Sequence, residues 1–275
     1  MRMRSTTVTI STLALLAGHA LAAPAARVTH ASMAAESTDM TFADATWTAR
    51  SLTATPVSTP VMVGNDAWTA VRDADTNVPV RMWGRGVRAA GSVANPAVAE
   101  AAARAFMQTQ LADLAPGATL SDFVLVANER NPAGDMRTVA FEQQYQGLNV
   151  LGGAISFAFK NDALFLVGST ALPNVTIAVP TSALAPRAAG QRAASWLAQT
   201  QGVAMRVRST APARVIVPMV QRKNGIATSV QYRVATVNEV EATAGVGRWQ
   251  VFVDAANGTP LARTDLLVAG LQEHG

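Results

Sequence analysis

The chain has 275 residues, 49% of them hydrophobic and 15% charged, with no cysteine and a formal net charge of +4. That length holds one large or two ordinary domains with a real core, and the absence of thiols excludes disulfides and thiolate metal sites. The basic residues are almost all Arg, scattered rather than blocked, so the excess reflects few acids and gives no nucleic-acid footprint.

Residues 1–22 read as a secretory leader. Arg2 and Arg4 open it, residues 8–17 are apolar, and Ala20-Leu21-Ala22 offers a small-x-small cleavage site. The apolar run falls short of the ~20 residues that a membrane span requires. The expectation is a secreted or periplasmic protein, cut near Ala22, with no membrane association afterwards. Without Arg2 and Arg4 the net charge drops to +2.

Residues 23–65 are rich in Ala, Thr, Ser and Pro with little periodicity, which predicts a linker or a loosely packed arm. Phe42 and Trp47 either dock on the following domain or stay exposed. Order is expected from Asp66. Residues 67–72 and 78–83 alternate as strands around the turn-rich Asp73-Ala74-Asp75-Thr76-Asn77. Asn95-Pro96 starts a helix, with Asn as N-cap and Pro at the first helical position. Val98, Ala102, Ala105 and Phe106 share one face of it, and it stops before Ala115-Pro116-Gly117. Strands at 123–127, 136–146, 154–159 and 163–168 form a meander. A connector follows at 173–180, then a second helix from Pro186 with Ala189, Ala193, Trp196 and Leu197 on one face. Strands are predicted at 214–217, 228–237, 248–254 and 260–265, with hairpin-turn dipeptides at Asn224-Gly225 and Asn257-Gly258. Helix-then-meander thus occurs twice, which predicts an α+β fold of two units, each a curved antiparallel sheet wrapped on one helix.

Catalytic constellations are missing. A zinc hydrolase needs His-Glu-x-x-His, yet export leaves only His30 and His274, neither with such a partner. No Gly-x-Ser-x-Gly elbow occurs. The carboxylate pairs Asp73/Asp75 and Glu239/Glu241 read as solvated turns rather than as an acid/base pair. Asp254 heads Asp254-Ala255-Ala256-Asn257-Gly258, which lacks calcium-loop spacing and reads as an Asx turn. Gly84-Arg85-Gly86 is too short for a phosphate cradle, and Trp196 and Trp249 read as core. The sequence therefore predicts no catalytic residues, no cofactor and no metal.

One stretch carries more. In Phe141-Glu142-Gln143-Gln144-Tyr145-Gln146-Gly147-Leu148-Asn149-Val150-Leu151-Gly152-Gly153 two strands flank a reversal at Gly147. Gly152-Gly153 allows a bulge or a close backbone approach. This run resembles the signature of the fungalysin/thermolysin-type propeptide (FTP) of secreted zinc metalloproteases. So does Val78-Pro79-Val80-Arg81-Met82-Trp83-Gly84 upstream, while residues 248–261, with Trp249-Gln250-Val251-Phe252-Val253-Asp254, resemble the PepSY-type half of such regions. The resemblance implies two cystatin-like lobes, an FTP-like one at 66–172 and a PepSY-like one at 173–268, before a tail at 269–275. It implies a non-catalytic folding assistant and steric inhibitor whose partner is a thermolysin-like or fungalysin-like protease domain, in cis or in trans. Gln144, Gly147, Gly152, Gly153, Trp249 and Asp254 would be determinants of shape. The alternatives are an exported binding or scaffold module without a protease partner, and an N-terminal fragment of a longer precursor.

Overall fold

The computed structural model describes residues 40–51, 54–182, 184–208 and 213–266; the leader and the tail lie outside them. The fold is mixed α+β, mostly sheet, with two long helices. In chain order the strands are β1 (Thr41–Phe42), β2 (Trp47–Thr48), β3 (Ala54–Val63), β4 (Asp66–Asp73) and β5 (Pro79–Arg88). Helix α1 (Pro96–Leu114) precedes β6 (Phe123–Arg130), β7 (Met136–Tyr145), β8 (Leu148–Lys160) and β9 (Ala163–Ser169). Helix α2 (Pro186–Gln201) precedes β10 (Met205–Val207), β11 (Arg214–Lys223), β12 (Ile226–Ala242), β13 (Arg248–Asp254) and β14 (Pro260–Asp265).

The fourteen strands of the described residues join one sheet, antiparallel except where β8 meets β11. The order β1-β14-β13-β12-β11-β8-β9-β5-β4-β3 places the later strands on one side of that joint and the earlier ones on the other, with β6 and β7 extending from β8. Each side carries one helix. Trp68, Met82, Phe141, Ile155, Phe157, Phe159 and Val167 form the core under α1, where Phe106 packs edge-on against Phe157 at 5.9 Å. Val240, Trp249, Val251 and Val253 pack under α2.

Helix α1 begins as predicted, with the Asn95 side chain accepting from Ala97 N at 2.9 Å and Pro96 at its start. Its buried face is turned by one residue from the predicted one: Ala99, Ala103, Phe106 and Met107 face the core while Ala105 is exposed. An alanine-rich helix carries little amphipathic signal, so the large residues Phe106, Met107, Leu111 and Leu114 decide its rotation. On α2, Ala189, Ala193 and Leu197 are buried as predicted, and Trp196 is half-buried.

The largest departure is the predicted linker. Within residues 40–65, β1 pairs with β14, β2 with β11, and β3 with β4. Phe42 and Trp47 dock, with Met40 and Ala49, on Val217, Met219, Phe252 and Ala262 of the later strands. The arm therefore covers the face of that half-sheet opposite α2. β3 contains Pro56 and Pro60, which argue against a strand in a sheet interior, but it is an edge strand paired only with β4.

Candidate functional site

The run that carries the resemblance builds the joint of the sheet. Gln146 and Gly147 both have positive φ, 50° and 76°, as a two-residue hairpin between antiparallel strands requires. After the turn the ladder slips: Gln144 pairs with Asn149, but Glu142 pairs with Ala154, so β8 bulges over the intervening residues. Gly152 supplies φ +72° inside the bulge. At Gly153 a Cβ would stand 2.7 Å from Gln143 Oε1 and 3.2 Å from Val150 O. The bulge frees Asn149 and Val150 to pair in parallel with Val215 and Ile216 of β11. Gln143, 1% exposed, locks the arrangement: its Nε2 donates to Leu172 O at 2.9 Å and its Oε1 accepts from Leu172 N at 2.8 Å.

A second set of contacts ties the arm across the same joint. Arg50 is 2% exposed. Its Nε donates to Asp73 Oδ2 at 2.8 Å and its Nη1 to Thr170 O at 2.5 Å. Ser51 donates through N and Oγ to Asp75 Oδ2, and Arg222 of β11 grips both Asp75 oxygens at 2.7 and 2.5 Å. Tyr232 donates to Pro173 O at 2.5 Å. Burial pushes its phenol well above the ordinary value, while the nearby Arg50 charge works the other way. The predicted carboxylate pairs are thus neither solvated turns nor acid/base dyads. Each acid has its own guanidinium: Asp73 has Arg50, Asp75 has Arg222, Glu239 has Arg248, and Glu241 has Arg206 and Arg208.

Burial alone would raise the Asp75 carboxyl, but the hydrogen bonds from Arg222 and Ser51 outweigh it and hold the group below the usual carboxylate range. A depressed folded-state pKa contributes stability that is complete above the unfolded value and is lost as pH falls through the folded one. Urea-unfolding free energy is therefore expected to fall as the medium is acidified below the ordinary carboxylate range. Asp75→Asn should flatten that part of the profile, and an unchanged profile would show the carboxylate to be unlinked.

The earlier half-sheet leaves a different surface. With Phe141, Phe157 and Met82 facing α1, register puts the alternate residues on the helix-free face. One cross-strand row there reads Pro60, Thr69, Trp83, Leu166, Ala158, Thr138 and Glu129. Every member is at least partly exposed, Trp83 at 38%; Met62 (58%) and Val124 (42%) flank the row. In the later half the chain's own arm covers the corresponding face; here, among the described residues, nothing does. A separate open groove of about 480 Å³ lies between α2 and the 258–260 turn, lined by Arg192, Ser195, Trp196 and Thr259. Trp196 lines this groove with one side and packs against the core under α2 with the other. Among the described residues no His, Cys, Asp and Glu set gathers as metal ligands, and no helix is long and apolar enough to cross a membrane.

No family model matches the chain, and none of the curated proteins does. Among solved structures, the chain is similar to the YpeB C-terminal domain of Bacillus megaterium at 10% identity. The match covers 76% of this chain and 89% of that one, with a TM-score of 0.32. A likeness that loose carries no argument about what the chain does.

The predicted shape determinants fall into two groups. Gln144, Gly147, Gly152 and Gly153 converge on the joint, where the glycines serve the turn, the bulge and the close approach. Gln144, half-buried, only donates to Asn149 Oδ1 at 2.8 Å; the buried amide is that of Gln143, one residue earlier. Strict alternation from Val139 and Phe141 puts Gln143 inward, and that signal could have found it. Trp249 lies apart under α2. Asp254 forms the predicted Asx turn, its Oδ1 accepting from Ala256 N at 2.8 Å and Asn257 N at 3.2 Å. The neighbouring Ala255 packs with Val150 on the joint. Asn224-Gly225 has the two positive φ values of a tight hairpin, but at Asn257-Gly258 only the glycine does. Sequence reasoning missed Gln143, Arg50, Arg222 and Tyr232.

Proposed function

We propose that this chain is a non-catalytic prodomain that assists the folding of a secreted zinc metalloprotease and blocks it sterically. In this reading residues 66–172 and 173–268 act as FTP-like and PepSY-like cystatin-type lobes, exported through the 1–22 leader. The observation that carries it is the helix-free face around Trp83. It is a row of mostly small and apolar side chains, ended by Glu129, on strands backed by α1, and among the described residues nothing covers it. Flat, preorganised faces of this kind recognise partners by shape, with standard interfaces burying about 1,600 Å² in total. The motif runs at Gln143–Gly153 and at 248–261 point the same way.

The test adds the purified chain to an active thermolysin-like or fungalysin-like protease and to the same enzyme refolding from denaturant. Saturable inhibition and a raised refolding yield are expected. If the chain neither inhibits nor assists any such enzyme, the reading falls, and an exported binding module without a protease partner takes its place.

A further inference from the structure

On the helix-free face β5 presents Arg81 and Trp83 at alternate positions, and Arg85 follows where the ladder with β9 slips between Trp83 and Val87; all three are exposed. We propose that this stripe takes an extended acidic segment of a partner protein, carboxylates on the two guanidiniums and an apolar side chain on the indole between them. The proposal rests on the reading of this face as the docking face; it does not require that the partner be a protease.

The neighbours of the stripe make it stand proud. Over residues 81–83 β5 is an inner strand paired with both β4 and β9, so at Arg81 and Trp83 its backbone offers no edge to add to. Recognition here has to be by side chains. By register Trp83 is flanked by Thr69 and Leu166, and Arg81 by Val71 and Gly168. Gly84 cannot be larger, because a Cβ would stand 2.5 Å from the buried Trp68 ring; the Arg-Met-Trp-Gly-Arg order thus holds Trp68 in and Trp83 out. Alternate side chains on a strand are ~7 Å apart, so Arg81 and Trp83 are spaced like residues i and i+2 of another extended chain, with Arg85 beyond them at the slip in the β9 ladder.

Charge selects the occupant. Residues 54–172 carry eight basic and ten acidic side chains, a net of −2. Most of the basic ones are engaged: Arg72 with Asp113, Arg104 with Glu100, Lys160 with Asp135, Arg88 beside Asp162, and Arg130 and Arg137 on backbone carbonyls. Arg81 and Arg85 have no partner among the described residues. Two open guanidiniums match two carboxylates, with bidentate geometry available at each. Exposed Trp and Arg are also the side chains that most often anchor interfaces.

The test titrates the full chain with a fluorescein-labelled Asp-Ala-Leu-Ala-Asp peptide, up to millimolar concentration, followed by anisotropy. Lys-Ala-Leu-Ala-Lys is the control, with oligo-dT and phosphatidylglycerol vesicles in parallel. Saturable binding of the acidic peptide is expected, at least tenfold weaker in R81E/R85E and in Trp83→Ala, both with unchanged circular dichroism. Absence of acidic-peptide binding, equal binding of both peptides, or binding of oligo-dT or vesicles in place of the peptide would overturn it. The two readings also separate. An R81E/R85E chain that inhibits a protease as well as the parent and binds the acidic peptide as tightly as the parent refutes the stripe and leaves the prodomain standing. A chain that inhibits no protease but binds the acidic peptide through the stripe supports the stripe and refutes the prodomain.

Discussion

Arg50→Ala is expected to lower the free energy of unfolding by about 3–5 kcal/mol, the loss associated with breaking a buried ion pair from one side. The reason is the charge left behind. Asp73 is 1% exposed and would keep only the Thr76 hydroxyl, 2.6 Å from its Oδ2, as a side-chain donor. The pair is not ideally solvated even now: Arg50 Nη2, Asp73 Oδ1 and Thr170 Oγ1 are buried without hydrogen-bond partners. Hence the double replacement Arg50→Met/Asp73→Leu is expected to lie much nearer the parent than either single change, since removing both charges removes the desolvation penalty with the attraction. Urea unfolding of the four proteins in a cycle gives the comparison. A cost below about 1 kcal/mol for Arg50→Ala would mean that the pair behaves as an exposed one. Arg50 also ends the arm, so its loss should open residues 40–51 to limited proteolysis and uncover Val217, Met219 and Phe252.

What the sequence disclosed and what it withheld follow from how local each cause is. The start of α1 is written in Asn95-Pro96, and β13 and β14 begin and end where alternation and the Asp254 turn set them. The bulge at Gly152-Gly153 was legible because only glycine tolerates the conformation and the contact. The arm was not legible, because its strands exist through partners far along the chain: Thr48 pairs with Val220, and Arg50 reaches Thr170. No periodicity in an Ala, Thr, Ser and Pro stretch encodes such contacts. The same holds for the acids. Asp73 and Asp75 look like turn residues until Arg50 and Arg222 arrive from elsewhere. The stripe on β5 had the right residue types in view, but placing Arg81 and Trp83 on the helix-free face required knowing which side α1 takes, and the slip beside Arg85 shows only in the pairing with β9.

Replacing Gln143 by Leu is expected to lower stability by about 2–5 kcal/mol, although Leu is similar in volume and more hydrophobic. The Gln143 carboxamide acts as a piece of backbone, satisfying both the N–H and the C=O of Leu172, which is itself 1% exposed. Removing it orphans a buried donor and a buried acceptor, each at about 1–3 kcal/mol. The half-buried Gln144 is the internal control: Gln144→Leu loses one bond to Asn149 at a site water reaches and should change stability by less than about 1 kcal/mol. Gly153→Val approaches the same lock from the other side, since its Cβ would press on the Gln143 carboxamide at 2.7 Å. Urea midpoints for Gln143→Leu and Gln144→Leu settle which amide of the pair holds the joint. Equal, small shifts would show that water reaches Leu172, and that the bulge, with the β8–β11 pairing it permits, stands on the glycines alone.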